Sequence, residues 1–279
     1  MTKTIFITGC SSGIGRCSAL GMKARGWRVL ATARRAQDLD ALGREGFDTF
    51  YLDYCEEDSI EAAFTAAMDR TGGRLDALFN NGGFAQLGAL EDVPMAAFRA
   101  QFDANFFGWH ALTQLAIPVM RAQGSGRIVM NSSVLGLVAF GFRGAYNCTK
   151  FAVEAYADTL RVELADTGIY VVAIEPGPIR TRFTERAMRS ARLNIDLVGS
   201  VHRKYYHRRL AELETGGNTQ GELGPEAVLA ALVKACESAN PKPQYFVTTP
   251  TAFAAAARRI LPKRLLHRLA LRGTGHLHD

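Results

Sequence analysis

Thr4-Ile5-Phe6-Ile7-Thr8-Gly9-Cys10-Ser11-Ser12-Gly13-Ile14-Gly15 is an apolar strand-like run that meets a glycine-rich turn and opens a helical stretch over residues 13–25. A strand, such a turn and a helix in that order let main-chain N–H groups at the helix start approach a pyrophosphate, whose charge the helix end favours. Gly9, Ser11, Ser12, Gly13, Ile14 and Gly15 are therefore candidate contacts for a dinucleotide.

Outward from this turn, residues 3–8, 27–33, 47–52, 75–80, 126–132 and 170–175 read as strands. Residues 37–44, 59–70, a long stretch from Pro94, and 145–166 read as helices. Strands alternating with helices predict an α/β fold, a Rossmann-type doubly wound parallel sheet with both faces covered. No linker or repeat interrupts the pattern, which predicts one domain over residues 1–279. Residues 182–224, including Gly216-Gly217, are polar, basic and weakly patterned; an insertion of that length reads as a substrate lid. Gly224-Pro225 opens a further helix, and residues 244–248 suggest a last strand.

At 48% apolar and 22% charged residues, the 279-residue chain has a globular composition, which excludes disorder and fibrous structure. Its longest apolar stretch, residues 134–142, is about half of the ~18 residues that cross a bilayer. The first strand begins almost at Met1, a pattern that predicts no secretory core segment and a cytoplasmic location. Five scattered cysteines without a CxxC pair fit reduced thiols, and the six histidines show no metal spacing, so no metal site is expected. The net charge of +6 is concentrated at one end. From Thr251 onward six basic residues face the single acid Asp279, a net +5 that leaves +1 for the rest. A nearly neutral body argues against a nucleic-acid surface.

Tyr146 and Lys150, four apart on a helix, share one face. A tyrosine ordinarily titrates near pH ~10, and a nearby ammonium lowers that value toward the neutral range where proton exchange is efficient. Ser133, thirteen residues earlier at a strand end, can face the crevice where ligands of open α/β sheets sit. Asn80-Asn81-Gly82-Gly83 and Pro176-Gly177-Pro178-Ile179-Arg180-Thr181 end two further strands on that side.

With Asn105 in Asn105-Phe106-Phe107-Gly108, these motifs resemble the short-chain dehydrogenase/reductase family from Thr4 to about Thr181, all in register. Tyr245-Phe246-Val247-Thr248 and Leu261-Pro262 are similar to its hydroxysteroid and retinol dehydrogenase-like branch, beside bacterial aldehyde or carbonyl reductases. The resemblance implies Tyr146 as general acid/base, Ser133 orienting the carbonyl oxygen, and Lys150 binding the nicotinamide ribose while lowering the Tyr146 pKa. It implies a relay water at Asn105, an adenine contact at Asp53 and a carboxamide contact at Thr181. Asn80, Gly82, Pro176, Gly177 and Ile179 would line the same cofactor. The family usually has alanine where Gly82 stands, a loss of one methyl that should loosen a packed turn.

The second strand ends Ala31-Thr32-Ala33-Arg34-Arg35. An NAD-preferring site carries an acid at this strand end, where Ala33 stands. Arg34 can pair bidentately with a 2′-phosphate, with Ser11 adding a hydroxyl, so NADP(H) is the expected cofactor; the bland reading makes Arg34 and Arg35 a basic helix start. The expected reaction interconverts a carbonyl (aldehyde or ketone) and an alcohol on an apolar substrate, with 17β-hydroxysteroid or retinol dehydrogenase activity as the alternative. A non-catalytic NADP sensor is a further class, against which the intact Ser133, Tyr146 and Lys150 count. A homodimer or homotetramer through the Pro94 and Ala145 helices is implied by the resemblance. The segment 251–272 has basic residues between apolar ones at helical spacing. It reads either as a peripheral membrane-interface helix or as one packed over the substrate pocket or a neighbouring subunit. Its alanine-rich start and Pro262 favour packing.

Overall fold

Ile5, Phe6 and Ile7 are fully buried and point alternately into two cores, as a strand covered on both faces requires. The computed structural model describes residues 2–214 and 222–274, and residues 215–221 of the expected lid, with Gly216-Gly217, lie outside them. Seven strands, β1 (Thr4–Ile7), β2 (Arg28–Ala33), β3 (Asp48–Tyr51), β4 (Ala77–Asn80), β5 (Gly126–Asn131), β6 (Ile169–Glu175) and β7 (Gln244–Phe246), form one sheet. Its order is β3-β2-β1-β4-β5-β6-β7, with each neighbouring pair parallel.

The helices are α1 (Gly13–Ala24), α2 (Ala36–Arg44), α3 (Glu57–Thr71), α4 (Met95–Phe102), α5 (Gly108–Gln123) and α6 (Gly144–Glu163). Beyond β6 come α7 (Phe183–Asn194), α8 (Arg203–Glu214), α9 (Glu226–Glu237), α10 (Thr249–Ile260) and α11 (Lys263–Thr274). Phe6, Leu30, Leu78 and Ile128 face α3, α5 and α6, while Ile5, Ile7, Phe79 and Val129 face α1, α2 and α9. The chain winds outward from β1 to β3 and returns to lay β4 against β1's other edge. That reversal opens a crevice beyond the carboxyl ends of β1 and β4, the ligand position of doubly wound sheets.

Two regions depart from the sequence reading. The helix expected from Pro94 is broken: α4 ends at Phe102, residues Asp103–Phe107 form a widened π turn, and α5 follows. Such turns insert one residue and cluster at functional sites, and this one buries Asn105. The basic tail is two helices, split at Leu261-Pro262. It lies on the segment that follows Ser133: Arg258 Nη1 donates to the Gly136 carbonyl at 3.0 Å, and the Gly141 amide donates to Thr274 Oγ1 at 3.1 Å. Among the described residues no helix is long and apolar enough to cross a membrane.

Candidate active site

The ends of β1 and β4 are tied together by side chains that the sequence places far apart. Thr8 Oγ1 accepts the amides of Asn81 and Gly82 at 2.9 and 3.0 Å, and Asn81 Nδ2 donates to the Thr8 carbonyl at 2.8 Å. The buried Tyr54 hydroxyl donates to Asn80 Oδ1 at 2.9 Å and lies 2.9 Å from Thr8 Oγ1. Asn80 thus holds the frame from within, its Nδ2 donating to Thr113 Oγ1 at 3.0 Å. The glycine turn closes on itself, because a Cβ at Gly15 would lie 2.3 Å from the Gly9 carbonyl oxygen. The Ser12 side chain does not cap the first turn of α1, so the leading amides keep their capacity for an anion.

Gly82 sits where that frame meets Tyr54: an added Cβ would be 3.2 Å from Tyr54 Cε2. The missing methyl therefore removes a contact with this ring, and the hydrogen-bonded hydroxyl keeps the turn in place. Gly82→Ala is expected to stabilise the protein by about 0.5 kcal/mol, chiefly by restricting the unfolded chain. Thermal melts check this; a loss of stability instead would mean the Tyr54 ring cannot yield.

Ser133, Tyr146 and Lys150 converge beyond β5, all buried. Ser133 starts the short turn Val134–Gly136, its Oγ accepting the Leu135 amide at 3.1 Å. Tyr146, in the first turn of α6, packs against Leu135, Ala187 and Ala85, with the Phe183 ring 5.6 Å away. Lys150 Nζ donates to the Asn131 carbonyl at 2.7 Å and stands 4.4 Å from the Trp109 ring centroid. Burial pushes the Lys150 ammonium down to about 7, with Glu154 opposing. Burial pushes the Tyr146 hydroxyl above its ordinary range, while Ser133 and the Arg143 guanidinium act the other way.

Two of the candidate residues make further contacts in this geometry. Lys150 Nζ stands 5.5 Å from the Tyr146 ring centroid, and its ammonium is also held by the Asn131 carbonyl and the Trp109 ring. The Arg143 guanidinium is a second cation that acts on Tyr146, favouring its ionised form. The Asn105 amide is likewise held, giving Nδ2 to the Phe84 carbonyl at 2.9 Å and accepting the Phe84 amide at 3.1 Å. Its side chain clamps the segment after β4.

At the other end of the crevice, Arg34 follows Ala33 with 62% of its side chain exposed and a loose 3.4 Å pair to Asp53. Arg35 is held by Asp38 at 2.8 Å. Asp53 also accepts the Cys55 amide at 3.0 Å, which fixes the turn beyond β3. The Pro176 carbonyl accepts the Val134 amide at 2.8 Å, and Gly177 lies against Thr248. Ile179 pairs with Leu223, and Thr181 sits against Gly13. Ser11, Ser12 and Ile14 belong to the glycine turn itself. An open groove of about 830 Å³ runs between α1 and residues 180–182, lined by Ser12, Gly13, Arg16, Thr181 and Arg182. Uncapped amides, an available arginine and a buried lysine form a donor set that fits an anionic dinucleotide.

The sequence pattern described as short chain dehydrogenase matches residues 3–191. The chain belongs to the short-chain dehydrogenase/reductase family. It is 40% identical to the uncharacterized oxidoreductase YbbO of Escherichia coli (strain K12) over 96% of this chain and 94% of that one. It is 30% identical to retinol dehydrogenase 8 of Homo sapiens over 86% and 79%, in keeping with the retinol and hydroxysteroid-like branch. The closed form of serine dehydrogenase complexed with NADP+ superposes with a TM-score of 0.75 at 25% identity, over 89% of this chain and 95% of that one. Members of this oxidoreductase family use a nicotinamide cofactor and act on small molecules.

Sequence reasoning missed Tyr54, Trp109 and Arg143. Trp109 stands directly after the quoted Asn105–Gly108 motif, and its indole N–H donates to the Gly82 carbonyl at 2.8 Å while its ring lies under Lys150. An aromatic at that position was a legible signal. Tyr54 had none, since its hydroxyl bonds join three separate segments.

Proposed function

We propose that the protein is an NADP(H)-dependent oxidoreductase that interconverts a carbonyl (aldehyde or ketone) and an alcohol on an apolar substrate, with Tyr146 as general acid/base. The observation that carries this reading is the burial of Ser133, Tyr146 and Lys150 together at the carboxyl edge of the sheet. The cofactor supplies the hydride when bound. Tyr146, kept protonated by burial, donates its proton to the carbonyl oxygen; Ser133 fixes that oxygen; Lys150 offers donors to the nicotinamide ribose. Thr181 reaches the carboxamide, Asp53 the adenine, and the glycine turn with Asn80, Gly82, Pro176, Gly177 and Ile179 lines the cofactor's path.

Leu87, Val134, Leu135, Phe140 and Ala187 around Tyr146 suit an apolar substrate, and the likeness to retinol dehydrogenase 8 brings retinoids and hydroxysteroids forward. α7 and α8 serve as the lid. Phe107 (54% exposed) and Val162 (78%), on the π turn and α6, suit a homo-oligomeric interface in a cytoplasmic enzyme. Incubation with aldehydes, ketones, steroids and retinoids, following NADPH and NADH by absorbance, tests the reading. Turnover of at least one apolar carbonyl with NADPH is expected; absence of both turnover and NADPH binding overturns it.

Arg34 carries the cofactor preference. Arg34→Ala is expected to weaken NADPH far more than NADH, because a charge-assisted bond of ~1.5–3 kcal/mol is lost only with the phosphate. Titrating both cofactors checks it, and equal losses would make Arg34 structural.

A further inference from the structure

Arg186 lies on α7 and reaches back to the glycine turn, its Nη2 donating to Ser12 Oγ at 3.0 Å. That bond joins the lid to the start of α1, although the two residues are 174 apart in sequence. Three other guanidinium groups act on Arg186 through their charge: Arg182 at the N-cap of α7, and Arg34 and Arg35 just after β2. Asp38 opposes them, but Arg35 already holds it at 2.8 Å. Arg34 has the loose pair to Asp53, and among the described residues no carboxylate bonds Arg182 or Arg186. Partial burial and the neighbouring cations hold the Arg186 guanidinium below its ordinary value.

Like charges brought together from α7 and β2 repel, and the arrangement costs free energy unless an anion with several charged oxygens sits among them. Arginine suits that task, since its planar fork pairs with two oxygens of one phosphate. The pyrophosphate has the uncapped amides of α1 available to it. The arginines Arg34 and Arg35 instead mark the adenosine ribose end, and their charge reaches Arg186.

We propose that Arg186 is a second ligand of the adenosine 2′-phosphate, delivered by the lid, so that NADP(H), and not NAD(H), pins α7 across the glycine turn. The inference rests on the NADP(H) reading above and adds to it a coupling. The phosphate that selects the cofactor also closes one wall of the substrate site, since α7 carries Ala187, which packs against Tyr146, and begins at Phe183, whose ring lies 5.6 Å from that of Tyr146. Cofactor then binds before substrate, and an NAD(H) complex keeps a looser lid.

The test uses the full-length protein and two readouts. Titrations of NADPH and NADH, followed by quenching of Trp27 and Trp109 fluorescence, give affinities for the wild type, Arg186→Ala and Arg186→Lys. Arg186→Ala should lose about tenfold or more for NADPH and stay within about twofold for NADH, with Arg186→Lys between the two. In the wild type, trypsin cleavage within residues 182–209 should slow with NADPH or adenosine 2′,5′-bisphosphate and proceed unslowed with NADH or AMP. Wild type that prefers NADPH while Arg186→Ala binds both cofactors normally overturns the inference and leaves the cofactor reading intact. Equal losses for both cofactors place Arg186 on the pyrophosphate or in the framework and overturn it too. A wild type without NADPH preference refutes the cofactor reading itself, and this inference with it.

Discussion

Tyr146→Phe is expected to lower turnover by about 10² or more, the usual effect of removing a positioned acid. The substitution deletes one oxygen and leaves the ring against Leu135, Ala187 and Phe183, so folding and cofactor affinity should change little. Because burial holds the hydroxyl above its ordinary range, the protonated form dominates at neutral pH, the form that carbonyl reduction needs. Alcohol oxidation needs the phenolate instead. In the wild type its rate should climb through the alkaline range, and in Tyr146→Phe that climb should vanish. Single-turnover rates in both directions, with cofactor affinities measured separately, check the prediction. Normal turnover in the variant would move the proton transfer to another group, and a parallel fall in cofactor affinity would make the hydroxyl a binding group.

The sheet and the helices that cover it were legible because most of them carry a local signal. Ile5-Phe6-Ile7 is a run buried on both faces, and Gly9, Gly13 and Gly15 mark the turn where the chain passes within reach of itself. The grouping of Ser133, Tyr146 and Lys150 was legible for the same reason: two of them share a helix and the third follows closely on a strand. What stayed hidden depends on contacts between distant segments. The direction of the Lys150 ammonium is decided by Trp109 and the Asn131 carbonyl, and the use of Asn105 by the main chain of Phe84. Neither pairing has a spacing to read. The π turn at Asp103–Phe107 was invisible because Phe98, Phe102, Phe106 and Phe107 fit a continuous helix as well as a widened one. Helices α7 and α8 stayed hidden behind polar composition, and no spacing in the sequence places Arg186 beside Ser12.

Glu175→Gln should stabilise the protein, by an amount that grows with pH. Glu175 ends β6 with its side chain fully buried, and among the described residues neither carboxylate oxygen makes a well-formed hydrogen bond. Burial and the nearby Glu154 push its carboxyl up to about 9; the Tyr245 amide, the Gln244 side chain and Arg161 offset only part. A carboxyl with a raised folded-state value stays protonated in the native protein between about 4.5 and 9, where the unfolded chain has already lost the proton. Native stability therefore falls as pH rises through that window. Glutamine imitates the protonated acid in shape and neutrality and carries no such penalty. At 1.36 kcal/mol per pH unit, the gain is on the order of 3 kcal/mol at pH 7, or several degrees in melting temperature, and near zero at pH 4.5. Melting curves of the wild type and the variant, at pH 5 and pH 8.5, decide the matter. A gap that widens toward pH 8.5 fits a neutral acid held beside Glu154 behind the active site. A gap that is constant, or a variant less stable at pH 8.5, would mean that Glu175 is ionised and paired in the native state.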